Sequence, residues 1–253
     1  MKKVLIVIGD VAGGHMSCAN AVKEALEERS HIVKIVNLME YSFATRWYEK
    51  FYYWVSRIYF LEIVFNTFYI LINKSRLLDI LFRKYFELTM TKKNAIKIIT
   101  EEDPDIVITN NGVTAVIIDE VKRRLNNFVY VVTVPDLMSI MRFWATKYAD
   151  FIFSPTTVAT ELLINWDIKR HSILEGYYPL RKITVFTEAE IENNRIEICK
   201  QFGFMVEKKI ILITGCGFGT QKMVKNMKNL FGFKKYQFII ITGKDQVLFF
   251  KIK

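Results

Sequence analysis

The order of apolar runs in this chain predicts two consecutive α/β units, the first complete and doubly wound, the second only begun. Three observations carry that prediction. Short β-branched runs alternate with longer segments of helical spacing, the runs are apolar without interruption, and a strand closed by a glycine-rich turn occurs at the N-terminus and again near residue 209. Parallel strands need crossovers, and strands buried on both faces read as continuous apolar runs, so the alternation means a parallel sheet covered on both sides.

The first strand, Val4 to Ile8, runs into Gly9-Asp10-Val11-Ala12-Gly13-Gly14-His15 and then a helical stretch from Ser17 to Arg29. Glycines in such a turn let a ligand approach the backbone, and the first N–H groups of the helix stay free to face an anion or a developing charge. His15 stands at the positive end of that helix, which keeps a neutral ring available as a base. Further strands are expected at Ile32 to Asn37, Ile106 to Thr109, Phe128 to Val134, Phe151 to Ser154 and Ser172 to Leu174. Helices are expected at Thr91 to Glu101, Thr114 to Arg124 and Thr157 to Ile164.

After Gly176 the pattern restarts, with a polar helix from Thr187 to Phe202, a strand from Lys209 to Thr214 ending in Gly215-Cys216-Gly217-Phe218-Gly219, and a strand from Tyr236 to Thr242. The division is therefore a domain over residues 1–182 and the start of a second over 183–253. Two parallel strands and one helix bury too little apolar surface to stand alone, so the second piece is expected to lean on the first or to belong to something longer.

The 253 residues are 51% hydrophobic, enough to fill a core, and 36 Lys and Arg against 26 Asp and Glu leave a formal charge of +10. Disorder is excluded, and anionic partners are favoured. Nucleic acid is not among the expected partners: there is no zinc-finger or helix-turn-helix signature, and aromatic and basic residues do not interleave as they do on a base-stacking sheet. Three dispersed cysteines without a CxxC pair read as free thiols, and the absence of a secretory leader makes the cytoplasm the expected compartment. The longest uncharged apolar stretch, Ile63 to Asn73, falls short of the roughly 18 residues that suggest a membrane span.

One segment stands out from this α/β alternation. Residues 41–86 concentrate aromatic side chains, among them Trp47, Phe51 and Trp54, beside cations at Arg57, Lys74 and Arg76. Rings at head-group depth with flanking Lys and Arg suit an anionic bilayer interface, and packing of two helices into the core is the competing reading. The first reading places the chain peripherally on the inner face of the cell membrane.

Taken together, the motifs resemble one family. Asp10-Val11-Ala12-Gly13-Gly14-His15-Met16-Ser17-Cys18-Ala19 resembles the D-x-G-G-G-H-x-x-x-A loop of the monogalactosyldiacylglycerol synthase and diacylglycerol glucosyltransferase-like enzymes. Asp103-Pro104-Asp105-Ile106-Val107-Ile108 is similar to the family's P-D-x-I-I strand, and Thr133-Val134-Pro135-Asp136-Leu137 with Trp144 to its T-D-L and H-x-x-W, Met141 standing where the family has histidine. Gly176-Tyr177-Tyr178-Pro179-Leu180-Arg181 resembles G-x-P-x-R, and residues 215–219 resemble G-G-G-x-G.

The resemblance implies a GT-B-like fold of two Rossmann-like domains, the second truncated here. It implies inverting transfer of a hexose from a UDP-sugar co-substrate to diacylglycerol or a similar lipid, with no metal or other cofactor. His15 and Asp136 would be catalytic, Asp10, Gly13, Gly14 and Trp144 would meet the acceptor, and Gly215, Gly217, Gly219 and Lys244 the donor. Loss of most of the donor half is expected to impair transfer. The alternative is a catalytically inactive lipid-binding or membrane-associated domain. A nucleotide-binding oxidoreductase would want G-x-G-x-x-G after the first strand, and the glycine spacing here is wrong for it.

Overall fold

The structure is a computed structural model and describes residues 1–9, 14–41, 54–55, 59–89, 92–214 and 235–242. The chain forms two compact units, Met1–Tyr52 with Ile63–Lys182, and Tyr53–Glu62 with Ile183–Lys253.

The first unit is built on six strands: β1 (Lys3–Ile8), β2 (Ile32–Asn37), β3 (Ile106–Thr109), β4 (Val129–Thr133), β5 (Phe151–Ser154) and β6 (Ile173–Glu175). They lie in the order β2-β1-β3-β4-β5-β6, every neighbouring pair parallel. The helices are α1 (Gly14–Glu27), α2 (Tyr59–Lys74, in this unit from Ile63 on), α3 (Arg76–Thr89), α4 (Lys92–Glu102), α5 (Gly112–Leu125) and α6 (Thr157–Asn165). Strand alternation sorts the core into two clusters. Val4, Ile6 and Ile8 join Ala19 of α1, while Leu5 and Val7 join Ile99 of α4 and Ala115, Ile118 and Val121 of α5. The continuous apolar character of β1 thus follows from burial on both faces.

Two helices begin earlier than their apolar periodicity suggests. α1 starts at Gly14, three residues before Ser17, and α5 starts at Gly112 because Asn111 caps it, its side chain accepting from the N–H groups of Val113 and Thr114 at 3.0 and 3.2 Å. A Cβ on Gly9 would come within 2.9 Å of Met39 Cε and 3.0 Å of Asn111 Oδ1, so glycine there allows β1 to end against that cap.

The second unit contains α7 (Glu188–Phe202), β7 (Lys209–Thr214) and β8 (Tyr236–Ile241), with β7 and β8 parallel. A capping box between Thr187 and Glu190 starts α7, and Gly203 ends it in the left-handed region at φ 69°. Arg195 donates to the carbonyls of Val206 and Lys208 at 2.8 and 3.1 Å, tying the helix to the loop that feeds β7.

Candidate active site

β1 is followed in sequence by β2 on one side and is flanked by β3 on the other, so the strand order reverses between β1 and β3. In open parallel sheets the crevice at the carboxyl ends of such strands is where ligands bind. The chain brings the ends of four strands to that rim. His15 is the second residue of α1, after β1; Asn110 and Asn111 follow β3; Asp136 and Trp144 follow β4; Tyr178 follows β6.

Asp136 is the electrostatic centre of this group. Its half-buried carboxylate accepts the indole N–H of Trp144 at 3.0 Å. Burial pushes the carboxyl above its usual range, the Trp144 bond and the charge of His15 pulling it back. The same carboxylate raises three neighbouring groups whose own burial is the larger cause: the Cys18 thiol and the phenols of Tyr69 and Tyr178. Tyr178 and Cys18 are in weak contact, with Sγ and the phenol oxygen 4.0 Å apart, and Tyr69 accepts from Ser139 at 3.2 Å. A carboxylate that accepts an indole N–H and lies within electrostatic reach of an imidazole and two phenols is equipped to orient hydroxyl groups and to stabilise a cationic histidine.

The loop between β4 and β5 that carries Asp136 and Trp144 is held from outside by side chains of α2, α3 and α5 and by Thr156. Asn73 of α2 donates to the carbonyl of Ile140 at 3.1 Å and accepts from the N–H of Arg142 at 2.8 Å. Arg83 of α3, paired with Asp79 at 2.9 Å, donates to the carbonyls of Arg142 and Ala145. Asp119 of α5 accepts from the N–H groups of Lys147 and Tyr148, and Thr156 donates to the carbonyl of Leu137. Trp144 is 2% exposed, and its indole lies beside Gly112, where an added Cβ would make ordinary van der Waals contact with it at 3.6 Å. An irregular loop fixed this way presents its functional groups preorganised.

The far side of the site is set by the segment after β6. Gly176 adopts φ 86°, and its N–H donates to the carbonyl of Ser154 at 2.9 Å, turning the chain so that Tyr178 reaches Cys18. Arg181 pairs with Glu24 of α1 at 2.6 Å.

Of the residues singled out from sequence, His15, Gly14, Asp136 and Trp144 belong to this rim. A Cβ at Gly14 would meet open space, so packing does not demand glycine and the backbone there is bare toward the outside. Trp54, Lys74 and Arg76 are exposed. Asp10, Gly13, Trp47, Phe51, Arg57, Gly215, Gly217, Gly219 and Lys244 lie outside the described residues. Met141 packs against the core. Sequence reasoning missed Asn110, Tyr69 and Tyr178 as site residues; only Tyr178, inside the G-x-P-x-R segment, carried a signal. Among the described residues no group of three or more His, Cys, Asp and Glu could hold a metal ion, and no helix is long and apolar enough to cross a membrane.

Residues 15–174 match the family model of monogalactosyldiacylglycerol (MGDG) synthase. The chain is 22% identical to a processive diacylglycerol beta-glucosyltransferase of Bacillus licheniformis and 21% identical to one of Bacillus pumilus, in each case over 98% of this chain and 62% of the relative. The chain therefore spans less than two thirds of the length of these relatives. Among solved structures, the UDP-glucose complex of Anabaena Alr3699/HepE matches with a TM-score of 0.54 at 11% identity, over 95% of this chain and 69% of the other. That likeness is one of fold, and it is to the GT-B class of α/β proteins.

Proposed function

Because the chain belongs to the monogalactosyldiacylglycerol synthase family, we propose that it binds the acceptor lipid, and begins the donor site, of an inverting transferase that moves a hexose from a UDP-sugar to diacylglycerol. The observation that carries this reading is that His15 at the start of α1 lies within electrostatic reach of Asp136, which stands on a loop held by Asn73, Arg83 and Asp119.

The chemistry follows from the arrangement. His15 takes the proton of the acceptor hydroxyl as that oxygen bonds to the anomeric carbon, and the bond from that carbon to the diphosphate breaks, its electron pair leaving with UDP. Asp136 then faces the imidazolium so formed and stabilises it. Attack and departure on opposite faces invert the configuration. Asp10 and Gly13 are assigned to the acceptor side and Gly215, Gly217, Gly219 and Lys244 to the donor side by family resemblance.

Membrane docking belongs to the same proposal. α2 and α3 expose Ile63, Val64, Ile70, Leu71, Leu77, Ile80, Leu81 and Leu88, with Lys74, Arg76 and Lys84 exposed among them. Apolar side chains mixed with cations fit an anionic leaflet. Sedimentation with phosphatidylglycerol vesicles should exceed that with phosphatidylcholine vesicles, and equal recovery with both would remove this part of the reading.

A second reading, a lipid-binding domain without chemistry, draws on Met141, which packs against the core at the place of a family histidine and has no proton to relay. Radiolabelled hexose transfer from UDP-glucose or UDP-galactose to dioctanoylglycerol separates the two. His15→Ala should lower transfer by about 10²–10⁴-fold with an unchanged melting curve. Wild-type transfer by that variant refutes His15 as the base, and lipid binding without transfer by the unaltered chain favours the second reading.

A further inference from the structure

Two buried polar atoms at the carboxyl ends of β1 and β3 have no hydrogen-bond partner among the described residues: His15 Nδ1 and Asn110 Oδ1. Asn110 is only 2% exposed, and its side-chain amide donates to the main-chain carbonyl of His15. That bond fixes the amide, because only the Nδ2 end can donate to a carbonyl; Oδ1 is left as an acceptor with nothing to accept. One buried atom without a partner is costly, and here the second belongs to the very residue that the first side chain grips. Both sit where α1 starts and its first N–H groups lack intrahelical partners. Packing explains the grip of Nδ2 on the helix and leaves the two vacant atoms unexplained.

We propose that Asn110 Oδ1 and His15 Nδ1 form a seat for a single oxygen that has a proton to give: water at rest, and the free hydroxyl of the acceptor lipid once it binds. This rests on the acceptor-binding reading above and assigns the atoms. Water satisfies both acceptors with its two protons. An alcohol shares its one proton between them in a three-centre hydrogen bond. Asn110 Oδ1 holds the hydroxyl in place, and His15 Nδ1 takes the proton as the oxygen bonds to the sugar and UDP leaves with the electron pair. Asn110 is a positioning residue; His15 is the base. The seat needs the lone pair of the ring on Nδ1, so the proton of the neutral imidazole stands on Nε2.

The chain has three histidines, His15, His31 and His171, so imidazole ¹⁵N spectra of the whole chain can be assigned by single substitution. Nδ1 of His15 should resonate as a lone-pair nitrogen. Dioctanoylglycerol in detergent micelles should shift it, and trioctanoylglycerol, which lacks the hydroxyl, should not. Asn110→Ala should raise the half-saturating diester concentration at least fivefold. A proton-bearing Nδ1 with and without lipid, equal responses to the two lipids, no response to either, or an unaltered half-saturation in the variant each overturns the proposal. Should Asn110→Ala fail to fold, the protonation of Nδ1 and the hydroxyl dependence in the unaltered chain decide it. A chain that responds as expected but transfers no sugar keeps the seat and loses the transferase; one that transfers sugar while His15 ignores the diester loses only the seat.

Discussion

Replacing Asp119 by asparagine isolates the ionisation of one buried carboxylate that braces the site loop. Asp119 is 8% exposed and accepts from the N–H groups of Lys147 and Tyr148 at 3.1 and 2.7 Å. Burial outweighs those bonds and the charge of Arg83, Glu120 adds to the rise, and the carboxyl is pushed from 3.8 to about 6. The folded chain therefore keeps a proton that the unfolded chain gives up between pH 4 and 6. The resulting contribution to stability is complete below pH 4, fades as pH rises through 6 and is absent above it. At about 1.4 kcal/mol for each pH unit of separation, it amounts to about 3 kcal/mol at most. Asparagine cannot titrate, and its cost in lost acceptor capacity does not vary with pH. The stability of the unaltered chain minus that of Asp119→Asn should accordingly fall by about 2–3 kcal/mol between pH 4 and pH 7. Urea denaturation at unit pH steps, followed by far-UV circular dichroism and tryptophan fluorescence, measures it, and other titrating groups cancel in the difference. A difference that is flat or that grows with pH refutes the reasoning.

Two further substitutions probe the rim. Gly9→Ala places a Cβ within 3.0 Å of Asn111 Oδ1 and 2.9 Å of Met39 Cε; the methionine end can swing aside, but the cap of α5 cannot shift freely, so a loss of about 1–2 kcal/mol is expected by denaturant titration. Trp144→Phe removes the N–H that holds the Asp136 carboxyl down. The acidic limb of the transfer–pH profile should move to higher pH, and an unmoved limb would show that Asp136 does not titrate in the reaction.

The strands were legible because burial on both faces leaves no room for polar residues, as β1 and β4 show. His15, Gly14, Asp136 and Trp144 were legible through motif order. Asn110 was not, since an asparagine after a strand reads as a turn former; only the pairing of β1 with β3, elements about one hundred residues apart, sets it against His15. Tyr69 was hidden for a related reason. Within a run of aromatics nothing marks one ring, and it is distinguished by the loop that happens to lie over it. The early start of α1 escaped notice because glycine and histidine favour helices poorly, and their inclusion is decided by tertiary contacts.

The grip of α2 on the β4–β5 loop restricts how this part of the chain can vary in length. Tyr69 and Asn73 are four residues apart and so share a face, both engaged by the same loop at Ser139, Ile140 and Arg142. Each residue added to a helix turns everything beyond it by about 100°. An insertion between the two would rotate one contact out of phase with the other and free the loop that bears Asp136. Residues gained or lost before Tyr69 leave that phase intact, so lineages and engineers alike can lengthen the aromatic connection ahead of Tyr69 without detuning the site behind it.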